Sequence, residues 1–269
     1  MSISLPHRRF ATLLSVGALV AVLALHERGG ASADELGPTI AAASDLQFAL
    51  EEVAACFKAD TGQALRLTFG SSGNFARQLE QGAPFALFLS ADEELVFRLA
   101  DKGLTHDRGS LYAIGRIVVF APQGSPLKAD AELSGLRAAL ENKQVSRFAV
   151  ANPEHAPYGR AAEQALRHAK LWEPLSPHLV LGETVGQAAQ FVVSGNCLGG
   201  IIAYSLALSP SMKDRGSFAL IPEHWHKPLR QRMVLLRTAS PAAKRFYAYL
   251  QKAPARAIMK RSGFVVPSE

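Results

Sequence analysis

The sequence predicts an α/β fold built as two lobes. Three observations lead there. Short apolar runs alternate with stretches of helical periodicity along most of the chain. Four strand-to-helix turns carry small polar residues, at 41–45, 69–74, 155–159 and 183–186. Such turns are where open α/β sheets bind ligands. Two of the four precede Pro122 and two follow it, which suits a ligand clamped between lobes.

Residues 38–43 read as a buried strand. Leu46, Ala49, Leu50, Val53 and Phe57 then share one face of a helix, and Thr61-Gly62 ends it with a residue suited to a left-handed cap. Residues 65–69 alternate as a strand, 74–80 form a short helix stopped by Gly82, 85–89 form a strand, and 92–102 a helix ended by Gly103. An apolar strand at 117–121 runs into Pro122, Gly124 and Pro126, punctuation that marks a lobe boundary. Beyond it, strands are expected at 147–151, 179–181 and 199–203, with helices at 133–140, 158–171 and 185–193. Strands at 218–221 and 233–236 and helices at 241–250 and 254–261 close the chain. There are no repeats, low-complexity segments or heptads.

The N-terminus has the marks of a secretory leader: basic His7, Arg8 and Arg9, an apolar run at 10–25, and the small-residue site Ala31-Ser32-Ala33. Residues 1–33 therefore read as a cleaved signal peptide, with Asp34 the first mature residue. Arg8-Arg9 leaves both the Sec and the twin-arginine route open. The run is short for a membrane span, and no second long apolar stretch follows. A soluble periplasmic protein is expected.

The 269 residues carry a formal net charge of +6. Lys and Arg are scattered, with no basic stripe interleaved with aromatics, which argues against a nucleic-acid partner. The two cysteines, Cys56 and Cys197, read as free apolar residues rather than a disulfide, and neither has metal-ligand spacing.

The turn chemistry is that of an anion site. Helix N-termini offer unpaired N–H groups and a partial positive charge. Ser hydroxyls add donors, and Gly permits close backbone approach. Ser44 and Ser72 are the leading candidates. Ser71 is adjacent to Ser72. Asp45 would repel an anion, so its carboxylate is expected to point away and to offer at most its N–H.

At these turns the chain resembles the periplasmic molybdate-binding proteins of ABC transporters. The resemblance rests on Ala41-Ala42-Ala43-Ser44-Asp45, on 69–78, on 82–85 and 89–92, on Asn152-Pro153-Glu154-His155-Ala156-Pro157-Tyr158-Gly159 and on Arg261-Ser262-Gly263-Phe264. It covers nearly the whole mature chain, in order. It implies a type II periplasmic-binding fold, each lobe a mixed sheet flanked by helices, with the ligand in the cleft. Lobe I would comprise 34–119 and 222–269, and lobe II 120–221.

Carried over position by position, Ser44 and Ser72 match the oxyanion-binding serines. Tyr158 and Val185 match positions that donate backbone N–H groups. The family often has a Tyr directly after the Gly-Ile-aliphatic run; here Ala203 stands there and Tyr204 follows one place later. Tyr158 is then the better source of a last hydroxyl. The implied ligand is molybdate or tungstate, bound through its oxygens with no direct metal-ligand residue and no cofactor. The implied partner is an ABC permease, and the implied state a monomer. The alternatives are a carrier of another oxyanion, such as sulfate or phosphate, and a secreted serine hydrolase using Ser72 and His155. No G-x-S-x-G elbow supports the hydrolase, because Asn74 stands where the second Gly belongs.

Overall fold

The computed structural model describes residues 37–268; the expected leader lies outside them. In chain order, the first half runs β1 (Thr39–Ala43), α1 (Gln47–Thr61), β2 (Arg66–Gly70), α2 (Ser72–Glu80), β3 (Leu87–Ser90), α3 (Glu93–Asp101), β4 (Ser110–Gly115) and β5 (Ile117–Pro122). It continues with α4 (Ser134–Glu141), β6 (Phe148–Ala151), α5 (Pro157–His168), α6 (Trp172–Leu175), β7 (Leu179–Gly182), α7 (Val185–Val193) and β8 (Gly199–Ala203). The last elements are α8 (Tyr204–Ala207), β9 (Gly216–Leu220), β10 (Leu229–Leu235), α9 (Pro241–Tyr249) and α10 (Ala253–Arg261).

The strands form two five-stranded sheets, ordered β2-β1-β3-β10-β4 and β7-β6-β8-β5-β9. Each is mixed. In the first, β1 runs parallel to β2 and β3, while β10 is antiparallel to β3 and β4. In the second, β6 runs parallel to β7 and β8, while β5 is antiparallel to β8 and β9. The chain passes from the first sheet to the second at Arg116 and returns between β9 and β10. Ile117, Val118 and Val119 already pair with β8. These are the two lobes that the alternating pattern predicts.

Both lobes bury the apolar faces their sequences offer. Leu50, Val53 and Phe57 of α1 are shut in. The Phe57 ring meets Phe246 and Tyr249 of α9 edge-on, at centroid distances of 5.2 and 5.4 Å, a geometry favoured by the ring quadrupoles. That contact ties the C-terminal segment to the first lobe. Gly62 caps α1 with φ +71°. The predicted helix at 158–171 instead ends at His168, where Lys170 turns left-handed at φ +58° and starts the short α6. Strand β4 was not expected, although Leu111, Tyr112, Ala113 and Ile114 make an apolar run between Ser110 and Gly115. Cys56 and Cys197 are both free thiols, as expected. Among the described residues, no helix is long and apolar enough to cross a membrane.

Candidate anion-binding site

The C-terminal ends of the parallel strands of both sheets point at one another. β1 delivers Ser44, β2 delivers Ser71 and Ser72, β3 delivers Ala91, β6 delivers the turn before Tyr158, and β7 delivers the turn before Val185. Ser44, Asp45, Ser71, Ser72, Tyr158 and Val185 all line one small cavity, closed between the lobes. It holds about 10 Å³ of free volume, on the order of one water-sized sphere. A much larger groove of about 430 Å³ lies alongside, walled by Asp92, Glu93, Arg160, Lys227 and Arg230 among others. It shares Ala91 and Pro157 with the small cavity and carries none of the Ser turns.

The two leading serines are held in the same way. Ser44 Oγ accepts the Gly186 N–H from the other lobe at 3.2 Å. Ser72 Oγ accepts the Ala91 N–H at 3.0 Å. A hydroxyl pinned by an accepted bond keeps its own proton to give. Ser71 is used differently. Its Oγ donates to the His155 carbonyl at 2.7 Å, so its proton is committed to holding the lobes together. Gly73 makes the neighbouring contact, its N–H donating to the same carbonyl at 3.0 Å. A Cβ on Gly73 would collide with that oxygen, which explains the Gly in this turn.

Tyr158 and Val185 each stand in the first turn of a helix, α5 and α7. First-turn N–H groups have no partner within their helix. In α7 the neighbours are taken: Thr184 Oγ1 accepts Gln187 N–H, Ser44 Oγ accepts Gly186 N–H and the Thr184 carbonyl accepts Ala188 N–H. Val185 opens α7 and lines the cavity, and a first-turn N–H has no partner within its helix. The Tyr158 hydroxyl is spent elsewhere. It donates to Asp45 Oδ2 at 2.9 Å and accepts from Gln231 Nε2 at 3.1 Å.

Asp45 lines the cavity, and its side chain is buried rather than turned to solvent, at 1% exposure. Oδ2 takes the Tyr158 hydroxyl and, at 2.6 Å, Gln231 Nε2. Gln231 Oε1 in turn accepts from Tyr112 at 2.8 Å, and Ser205 Oγ donates to the Asp45 carbonyl at 2.8 Å. Burial lifts the Asp45 carboxyl from 3.8 to about 6, against the pull of the Gln231 and Tyr158 bonds. Burial also raises the hydroxyls of Tyr112 and Tyr158, with the nearby Asp45 charge adding to it. The local sequence hides this network because Gln231 lies 186 residues from Asp45. Gln231 is fully buried at 0% exposure, yet it stands between Arg230 and Arg232 in the sequence, so nothing local marks it.

Tyr204 is not brought to the cavity. It opens α8, its N–H bonds to the Arg116 carbonyl, and its ring tilts against Phe218. The extra residue Ala203 ends β8 before the chain can aim a Tyr at the cleft.

The hydrolase geometry is not assembled. Ser72 Oγ sits on Ala91 N–H rather than on a His. His155 Nδ1 lies 3.1 Å from Ser71 Oγ, and its Nε2 lies 3.1 Å from Glu183. The Ser71 proton, however, goes to a carbonyl and not to the ring, and Ser71 is buried. A nucleophile needs its proton aimed at the base. Among the described residues, no group of three or more His, Cys, Asp or Glu could hold a metal ion.

The family model for bacterial extracellular solute-binding proteins matches residues 38–265. The chain is 32% identical over 260 residues to the molybdate-binding protein ModA of Rhodobacter capsulatus, covering 96% of this chain and 98% of that one. It is 34% identical over 248 residues to ModA of Escherichia coli K12, covering 91% and 95%. Among solved structures, the periplasmic molybdate-binding protein of Azotobacter vinelandii superposes with a TM-score of 0.78 at 29% identity, covering 86% of this chain and all of that one. With two lobes, a shared cleft and converging donors already in place, the match is one of architecture as well as sequence: the chain belongs to the bacterial extracellular solute-binding protein family.

Proposed function

We propose that this protein captures molybdate, and tungstate with it, between its two lobes and delivers it to an ABC permease from the periplasm. It would act as a monomer, with a cleaved leader at 1–33. Lobe I would run from 34 to the passage at Arg116 and resume after β9, with lobe II between; the two passages would serve as the hinge. The relatives named above supply the ligand class, and the donor set supports it.

The observation that carries the reading is the pair of pinned serines opposite two first-turn N–H groups. Ser44 and Ser72 give hydroxyl protons, and Tyr158 and Val185 give backbone protons. No cationic side chain lines the cavity. Molybdate is a tetrahedral dianion with no proton at neutral pH, so it takes donors at every oxygen. Hydrogen bonds to a charged group contribute about 1.5–3 kcal/mol each. Four or more help to offset the desolvation of the anion without a cationic side chain. A cage of fixed spacing separates the larger molybdate and tungstate from sulfate.

Calorimetric titration tests this. Molybdate should bind far more tightly than sulfate; equal affinities would defeat the assignment. A serine hydrolase would instead turn over an ester and lose that turnover in Ser72→Ala.

A further inference from the structure

Asp45 is the one acidic side chain in the cavity wall, and its Oδ1 is buried without a hydrogen-bond partner. A buried carboxylate oxygen without a partner is costly. Beside a bound dianion it is costlier still, because like charges repel strongly where water is excluded. The carboxylate cannot swing away. Oδ2 is fixed by Tyr158 from α5 and by Gln231 from β10. Gln231 is itself fixed by Tyr112 from β4, and Ser205 from α8 holds the Asp45 carbonyl.

We propose that Asp45 enters the oxyanion complex as a carboxylic acid, its Oδ1 proton donated to the bound dianion, so that capture of one molybdate takes up one proton from solvent. This inference rests on the molybdate reading above. The balance is simple: carboxylate, proton and dianion combine, and the site keeps the ligand's two negative charges instead of three. The orphaned oxygen gains a donor role, and the repulsion disappears.

The surroundings favour this state. Tyr112 and Tyr158 are the titratable groups that face the carboxylate, and both stay neutral, since burial pushes their hydroxyls up. Gln231 and Ser205 carry no charge. No cation stands against the carboxylate among the described residues to hold it ionised. Burial already raises its pKa to about 6 before any ligand charge is added. A hydrogenphosphate would behave differently. It brings its own proton, which an ionised Asp45 could accept, with no uptake from solvent.

The test is calorimetry of the full protein with molybdate at pH 7.5, in buffers of different ionisation enthalpy. The slope of observed heat against buffer enthalpy counts protons. The wild type should take up close to one proton per molybdate, and its Kd should rise roughly tenfold per pH unit from pH 7 to 8.5. Asp45→Asn places an amide N–H where the acid proton would stand. It should take up none, and its Kd should be flat across that range. Tight wild-type binding with no proton uptake overturns the proposal, whether or not the variant folds. Phosphate bound as tightly as molybdate, and lost in Asp45→Asn, also overturns it, since Asp45 would then be an ionised acceptor. Absence of any molybdate heat in the wild type would instead strike at the molybdate reading itself.

Discussion

At the scale of single residues, the site separates serines that look alike in sequence. Ser72 keeps its proton and Ser71 gives it to His155. Ser72→Ala and Ser44→Ala should each weaken molybdate binding by about 1.5–3 kcal/mol, read as Kd by calorimetry, with the fold intact. Asp45 carries a second prediction, on stability. Its folded pKa of about 6 lies above the 3.8 of an unstrained carboxyl. The folded state therefore binds its proton more tightly, and the stability this lends is complete below about pH 4 and lost as pH rises through 6. The ligand-free protein should gain on the order of 2–3 kcal/mol from this group on going from pH 7.5 to the acid side. Asp45→Asn should remove that part of the pH dependence, measured by denaturant unfolding at several pH values. An identical pH profile in the variant would show that Asp45 is not held as the structure places it.

At the scale of elements, the turns rather than the helices carry the binding. Strand β1 and helix α7 were legible because apolar runs end abruptly in Ser, Gly or Thr, and β2 because it alternates. The partners of Asp45 were not legible, because Gln231 and Tyr158 lie 186 and 113 residues away. Tyr158 was legible as a backbone donor, while its hydroxyl, the expected last donor, is held by Asp45. Strand β4 escaped notice although its Tyr112 anchors the network and its Gly115 lies against the Tyr158 hydroxyl, where a Cβ would clash. The turn at α2 offers a sharp test. Gly73→Ala improves helix propensity by up to about 1 kcal/mol but sets a methyl against the His155 carbonyl. Thermal unfolding should change little, while molybdate affinity should fall at least tenfold. Unchanged affinity would mean that this contact is not needed for the lobes to shut.

At the scale of the whole molecule, the two lobes are joined by bonds that cross the cleft. Gly186 N–H to Ser44 Oγ, Gly73 N–H and Ser71 Oγ to the His155 carbonyl, and the Arg160–Asp92 ion pair at 2.6 Å all join one lobe to the other. Each is modest. A partly exposed ion pair contributes up to about 1 kcal/mol, and neutral hydrogen bonds about as much. Bonds of this size favour closure without locking it, as capture and release require. Molybdate should therefore shrink the radius of gyration in solution scattering, and sulfate should not. The two-lobed plan was legible from four turns split by Pro122. The place of the passage between sheets was less so: Gly115 precedes Arg116, but with β4 unread as a strand only the punctuation at Pro122 stood out.

The central claim is that one tetrahedral oxyanion sits between Ser44, Ser72, Tyr158 and Val185. Diffraction from crystals grown with molybdate, recorded at the molybdenum absorption edge, tests it most directly. The account predicts a single strong anomalous peak in the small cavity, with ligand oxygens about 2.6–3.2 Å from the two Ser hydroxyls and the two backbone nitrogens. A peak in the larger groove beside Arg160 and Arg230, or none at all, would contradict it.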